Sequence, residues 1–284
     1  MDTSLIALCS PDSTKSCFAC CPPIRPAGYE HIQFKSSIQR MLQENTEQFD
    51  ASDSRVAAIT GFSCWGLGYL DKTHRLIGCL LHPNQNQERD LRFRTDYGEK
   101  CRREGCEEAK IFSELDIAAQ KFLLCLTDNL DSFEYSSRSA NPLFDLLGWG
   151  TRILGFVAEC EAVGKPDRET FFQKLPFLRT TLPSRAYASL LKRIIDRGTF
   201  DLLMDDAFRI SFEEFAEYLA GLVRRRSSSF PDGKFVHLLG LDPEFANFLR
   251  LACGVFEITP ASVEKIKRIV DQETGKFLVD LKAD

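Results

Sequence analysis

Long apolar runs are missing from this chain of 284 residues, and none approaches the 18 or so apolar residues of a membrane-spanning helix. The short apolar stretch from Leu5 to Cys9 has no positive residues before it. It is also shorter than the apolar core of about 7–15 residues that a secretory leader needs, so no leader is expected. A surplus of positive charge is missing as well. Lys and Arg number 36 against 41 Asp and Glu, giving a net charge of −5 and no global basic field for nucleic acid. At 44% hydrophobic and 27% charged residues the composition is that of a folded chain, long enough for two domains. No internal repeat of fixed period occurs.

Familiar catalytic patterns are missing too. No Walker A loop and no His-Glu-x-x-His occur, and Gly148-Trp149-Gly150 followed by Gly155 misses the dinucleotide fingerprint. Gly61-Phe62-Ser63-Cys64-Trp65 lacks the second glycine of a nucleophile elbow. The pairs Asp205-Asp206 and Glu213-Glu214 fall in helical stretches and read as solvated faces. Arg224-Arg225-Arg226-Ser227 has the form of a basic-directed phosphorylation site, a pattern common by chance.

Cysteine is what the chain has in quantity, 11 residues in all. Eight lie in the first 110 residues: Cys9, Cys17, Cys20, Cys21, Cys64, Cys79, Cys101 and Cys106. Cys125, Cys160 and Cys253 stand singly among apolar residues and are expected in the core. With no leader and no membrane span, a cytoplasmic chain is expected. In that compartment thiols stay reduced, and clustered cysteines bind metal more often than they pair.

The chain divides near residue 110. Of its 23 phenylalanines, 5 lie before that point and 18 after it. Residues 1–110 read as a loop-rich, cysteine-rich module. They begin irregularly around Pro11, Pro22, Pro23 and Pro26, and a helix follows over 29–49 with Ile32, Phe34, Ile38, Met41, Leu42 and Phe49 on one stripe. Short strands follow over 56–81, turning near Asp71-Lys72-Thr73-His74. Residues 111–284 read as an all-α domain, so the fold class expected is mainly α. Ser113 is expected to cap a helix carrying Leu115 to Leu126. Asn141-Pro142 should begin one that runs through Val157, and further helices are expected at 167–175, 184–196, 199–209, 211–226, 242–256 and 260–282. Phe212, Phe215, Leu219, Leu222 and Val223 share a face of one of them.

The motif that carries chemistry is Cys17-Phe18-Ala19-Cys20-Cys21-Pro22-Pro23. Two cysteines separated by two residues can form a tight knuckle that turns both sulfurs toward one ion at about 2.3 Å. The adjacent Cys20 and Cys21 share a centre only through a local twist, or one of them serves a second metal. Cys64, Cys79-Leu80-Leu81-His82 and Cys101-Arg102-Arg103-Glu104-Gly105-Cys106 complete a set of seven thiols and one imidazole. A module with little apolar bulk needs a staple, and a structural metal is one. Cys21-Pro22 leans toward an iron–sulfur cluster, and Cys79-x-x-His82 toward zinc. His82 has an alternative role, capping the turn before Pro83. A thiol–disulfide role for Cys17 or Cys20 lacks the βαβ surroundings such motifs occupy.

This order of cysteines resembles the cysteine-rich family of zinc- or iron-chelating proteins with a Cys-x-x-Cys-Cys motif. The resemblance covers about Cys17 to Cys106 and departs in the long spacer before Cys64 and in the helical extension. It implies Cys17, Cys20, Cys21, Cys79, Cys101 and Cys106 as ligands, with Cys64 beside them. It implies a site and no reaction.

Arg89, Arg92, Arg94, Lys100, Arg102 and Arg103, with Phe93 and Tyr97 between them, make a locally basic strip that could meet a phosphate or a nucleic-acid strand. Asp90, Asp96 and Glu99 favour pairing within the loop instead, and Glu104, Glu107 and Glu108 weaken the strip further. Arg102 and Arg103 would also be placed to offset the charge of a cluster at Cys101 and Cys106. The expectation is therefore a metal-binding protein, holding zinc or an iron–sulfur cluster, whose helical domain contacts another protein. Nucleic acid and membrane are not expected as partners. The alternatives are an iron–sulfur redox or electron-transfer component and a metal storage or delivery protein.

Overall fold

The structure, a computed structural model, describes residues 6–21, 28–60, 63–103, 105–160, 167–230 and 233–281. Pro22, Pro23, Pro26, Gly61, Phe62, Glu104 and the side chain of Cys160 lie outside the described residues. The chain is mainly α. It divides into two compact units, Met1–Phe144 and Asp145–Asp284.

The first unit is built on a helix and a hairpin. The helix expected over 29–49 is a 3₁₀ turn at His31–Phe34 followed by α1 (Lys35–Gln48), and Phe34, expected on its apolar stripe, is exposed. Ile38 and Leu42, one helical turn apart, bury the same face. That face packs with Phe18, Cys64, Leu67, Tyr69, Ile77 and Phe133, and Cys21, Ile32, Met41 and Ile59 pack around them. The unit therefore has an apolar core of its own, which corrects the expectation of a module short of apolar bulk. Few phenylalanines do not mean little core, because aliphatic side chains drawn from distant segments supply it.

Strands β1 (Leu67–Tyr69) and β2 (Ile77–Cys79) pair antiparallel, with Leu67 opposite Cys79 and Tyr69 opposite Ile77. The Asp71 carboxylate closes the connection by accepting the amides of Arg75 at 2.9 Å and Leu76 at 2.7 Å. On α1, the Asn45 amide donates to the Leu67 carbonyl at 2.8 Å, and Thr46 Oγ1 accepts the Tyr69 amide at 2.8 Å. These bonds fix the hairpin against the helix.

Short helices follow: α2 (Gly98–Arg103), α3 (Glu107–Glu114), α4 (Ile117–Cys125) and α5 (Ser132–Tyr135). Asp116 caps α4 by accepting the Ala119 amide at 2.8 Å, and Ser113 instead lies in the last turn of α3. The aspartate stands directly before the first helical residue, where an acceptor reaches the unpaired amides. Asp131 and Glu134 form a reciprocal capping box on α5. The first unit continues past residue 110 because α5 holds the N-terminal segment. Ser132 Oγ accepts the Ser16 amide at 3.0 Å, Ser136 Oγ accepts the Phe18 amide at 2.9 Å, and Tyr135 Oη donates to the Leu8 carbonyl at 2.9 Å.

Along the chain follow α6 (Leu143–Leu147), α7 (Thr151–Cys160), α8 (Arg168–Lys174), α9 (Ser184–Ile195), α10 (Asp206–Ser227), α11 (Pro243–Asn247) and α12 (Pro260–Asp280). Two residues of each of β3 (Lys234–Phe235) and β4 (Glu257–Ile258) pair as a short antiparallel ribbon. The helix expected over 142–157 is two helices. Gly150, at φ +84°, breaks it, and Trp149 turns into the core, where it lies 5.3 Å from the Phe177 ring. Phe177 also meets Phe208 at 5.4 Å and Phe212 at 5.1 Å, so the later phenylalanines form an aromatic core. The stretch expected as helices 199–209 and 211–226 is a 3₁₀ turn, Phe200–Met204, and then the unbroken α10 capped by Asp205. On α10, Phe212, Leu219 and Val223 are fully buried, and Phe215 and Leu222 partly so.

Candidate metal centre

Three cysteine segments of the first unit fold into tight turns. In the first, the Cys21 amide donates to the Phe18 carbonyl at 3.0 Å, and Phe18, 1% exposed, anchors the turn in the core. The Cys17 amide donates to the Cys9 carbonyl at 2.9 Å, which adds Cys9 to the neighbourhood. In the second, the Leu67 amide donates to the Cys64 carbonyl at 3.0 Å, and the Gly66 amide to Cys64 Sγ at 3.3 Å. In the third, the His82 amide donates to the Cys79 carbonyl at 3.1 Å, and Leu80 pairs with the Gly66 carbonyl at 2.8 Å. The Ala19 and Leu81 amides likewise lower the pKa of the Cys17 and Cys79 thiols, against the larger rise from burial. Cys17, Cys64 and Cys79 thus each receive the amide two residues further on. A donor aimed at sulfur stabilises thiolate over thiol, and such amides suit sulfur that is to carry negative charge.

The thiols stand within electrostatic reach of one another. Burial pushes Cys64 up to about 12 and Cys79 up to about 11, and each is raised further by Cys101. Cys21 is held well above its ordinary value first by its hydrogen bond with Cys20, then by burial and by Cys20, Cys79 and Cys64. Burial raises Cys17, with Cys20, Cys9 and Cys106 adding to the rise. Cys101 and Cys9 are also raised, by burial and then by Cys20. Cys9 is an exposed residue, so its rise reflects atoms packed around the sulfur itself. Among the described residues no cysteine is in a disulfide.

Cations temper this field, Lys100 at Cys101 among them. Arg92 lowers the thiols of Cys79 and Cys101 and donates to the Cys101 carbonyl at 3.0 Å. Asp90 holds the guanidinium with two bonds, at 2.9 and 2.8 Å. Arg102 pairs with Glu99 at 2.8 Å. Arg92 is therefore the arginine placed to offset charge at Cys79 and Cys101. Arg94 is 4% exposed and donates to the Asp50 carbonyl at 2.9 Å, between the rings of Phe49 and Trp65. It is thus a packing residue of the basic strip.

His82 Nδ1 accepts the Asn84 amide at 3.3 Å and caps the turn that begins at Pro83. Burial and Arg92 lower its pKa, so the ring is neutral at pH 7. Cys106 precedes α3, and its thiol donates to Glu108 Oε2 at 2.8 Å. The Glu108 carboxylate is buried and paired with Arg138 at 2.8 Å. Burial and Glu108 together push the Cys106 thiol up to about 12.

Every cysteine in the expected ligand set, Cys17, Cys20, Cys21, Cys64, Cys79, Cys101 and Cys106, lies in this unit. All but Cys106 are linked by mutual repulsion to the Cys20–Cys21 doublet, and Cys106 is linked through Cys17. Among the described residues, no three Cys, His, Asp or Glu side chains are already set to hold one metal ion. The ligand set read from the sequence lacks Cys9, which carries no spacing motif. It also lacks Arg92 and Glu108 as partners, because their roles depend on folding. Of the expected core cysteines, Cys253 is buried, while Cys125 is partly exposed and donates to the Lys121 carbonyl at 3.3 Å. No protein-family model, no curated protein and no solved structure matches this chain.

Proposed function

We propose that this chain binds metal through thiolates of its N-terminal unit, drawn from Cys17, Cys20, Cys21, Cys64, Cys79, Cys101 and Cys106. The observation that carries the reading is the threefold recurrence of an amide aimed at a cysteine sulfur two residues back. It occurs at Cys17, Cys64 and Cys79, which come from three segments brought side by side. Amides so placed hold a thiolate's charge in a partly buried site, where bare thiolates would repel. A cytoplasmic, reducing compartment fits a cluster of unpaired thiols.

The metal is zinc or an iron–sulfur cluster. Both accept four thiolates, and the capping role of His82 Nδ1 favours an all-sulfur donor set. The second reading, an iron–sulfur redox component, gains support from Arg92, a cation beside Cys79 and Cys101 that would stabilise an anionic cluster. The helices of the second unit, Asp145–Asp284, serve to contact another protein. Phe235, Leu238 and Phe256, all exposed around the β3–β4 ribbon, support that role.

The test is metal analysis joined to an absorption spectrum, on protein purified without oxygen. Stoichiometric zinc in colourless protein supports the closed zinc site. Brown protein with iron and acid-labile sulfide supports the cluster. No bound metal, with all thiols titrating freely, overturns the proposal.

A further inference from the structure

Eight thiols are more than one tetrahedral ion can use. We infer that they form two centres: an inner one of Cys21, Cys64, Cys79 and Cys101, and an outer one of Cys9, Cys17, Cys20 and Cys106. The inference rests on the metal-binding reading and assigns Cys9 a ligand role.

The division follows what holds each sulfur in place. The inner four belong to the hairpin and its surroundings. Cys64 is part of the apolar cluster, and Cys21 packs against it. Cys79 sits in β2 opposite Leu67, three residues from Cys64, and the Cys64 and Cys79 turns are joined by the Leu80 amide on the Gly66 carbonyl. Arg92 ties Cys101 to this group through its carbonyl. The outer thiols belong instead to α5 and the residues just after it. Tyr135 holds the Leu8 carbonyl, Ser136 holds the Phe18 amide, and the Cys17 amide bonds to the Cys9 carbonyl between them. Arg138, two residues beyond Ser136, grips Glu108, and Glu108 accepts the Cys106 thiol.

The Cys20–Cys21 doublet is the seam. Its two thiols hydrogen-bond each other, and one goes to each set. Away from the seam the electrostatic neighbours follow the same division, with Cys17 feeling Cys9 and Cys106 and Cys64 feeling Cys79 and Cys101, while Cys20 at the seam also reaches Cys79 and Cys101. Exposure differs as well. Cys9 and Cys20 of the outer set are exposed and Cys64 of the inner set is buried, with Cys17, Cys21, Cys79, Cys101 and Cys106 partly covered. The outer ion therefore exchanges faster than the inner one.

Cobalt(II) is the probe, titrated without oxygen into the reduced, metal-free full chain and followed by thiolate-to-cobalt absorption. Two ions per chain are expected, both with tetrathiolate bands. Cys9→Ser combined with Cys106→Ser should leave one ion and the band of the inner site. One ion per chain in the unaltered protein overturns the two-centre inference and leaves metal binding standing. No thiolate band at all overturns the metal-binding proposal itself. Because the unaltered chain gives the count, the inference does not depend on the variant folding.

Discussion

Ser16 Oγ donates to the Ile77 carbonyl and accepts the Ile77 amide, both at 2.7 Å. A single buried hydroxyl thus substitutes for a neighbouring strand at the first residue of β2. One residue further along each segment stand Cys17 and Gly78, and then Cys79. The bond pair therefore sets how the first cysteine turn lies against the third. Ser16→Ala would leave both backbone groups of Ile77 without that partner, at a cost of about 1–3 kcal/mol. Chemical denaturation should show that loss, and metal affinity should fall with it. Unchanged affinity would mean that the two turns do not share a centre.

Arg92 separates charge from mere proximity in sequence. Replacing it with Gln removes the cation beside Cys79 and Cys101 and the donor to the Cys101 carbonyl. The four thiolates of an occupied site would then repel with less compensation, so metal retention against a chelator should drop, by about tenfold for a loss near 1.4 kcal/mol. Arg92→Lys keeps the charge but loses the paired grip of Asp90, so it should recover part of the retention. Arg102→Gln removes only an exposed pair with Glu99 and should change nothing. A larger effect at Arg102 than at Arg92 would overturn the assignment.

The main outline of the fold was legible from the sequence, because period and caps are local signals. The α1 stripe of Ile38 and Leu42, the hairpin turn at Asp71, and Pro260 opening α12 all stand where the pattern puts them. The errors share a cause. Trp149 prefers the aromatic core to continuing a helix, and the serines of and after α5 reach back more than 100 residues to the N-terminal segment. Neither preference shows in a window of neighbours. The same holds at the candidate site. Spacing marked Cys17, Cys20 and Cys21, but Cys9 enters through one backbone bond, and Glu108 meets Cys106 only because Arg138 holds it there.

Glu30 gives the first unit a stability that depends on pH. Partial burial would raise its pKa, but it is held below the ordinary 4.5 by hydrogen bonds from Ser137 and Ser139 and from the amides of Ser139 and Arg138. The bonds run from 2.6 to 3.1 Å. A carboxyl lowered on folding stabilises the fold above its unfolded pKa, and that contribution is lost as pH falls through the folded value. Glu30→Gln sets an amide donor against donors and should cost about 1 kcal/mol for a half-exposed group. The gap between the unaltered protein and Glu30→Gln should be constant above pH 5 or so and narrow below 4.5. A gap that does not vary with pH would show that the carboxylate's charge plays no part.

Gly98 begins α2, the helix that carries Cys101, and it lies against the chain at Arg92. A Cβ there would overlap the Arg92 carbonyl and come within 2.8 Å of the Phe93 Cα, both backbone and unable to rotate away. Gly98→Ala should therefore shift α2 and cost about 1–3 kcal/mol. Because α2 moves as a piece, the variant should also weaken metal retention with every cysteine present. Full retention in a destabilised Gly98→Ala protein would remove Cys101 from the ligand set.

The apolar cluster around Phe18 and Leu42 separates folding from metal binding. Leu42 is 0% exposed and Phe18 1%, and both pack with Ile38, Leu67 and Ile77. Leu42→Ala should cost about 2–5 kcal/mol through the cavity it leaves, with or without metal. A unit with such a core does not depend on an ion for its helices, unlike a small domain that folds only around its metal. Chelation of the metal-loaded protein should leave far-ultraviolet circular dichroism largely unchanged. Thiol reactivity at Cys17, Cys64 and Cys79 should rise under the same treatment. Collapse of the helical signal on chelation would reverse the order, making the metal the source of the fold and the apolar cluster its consequence.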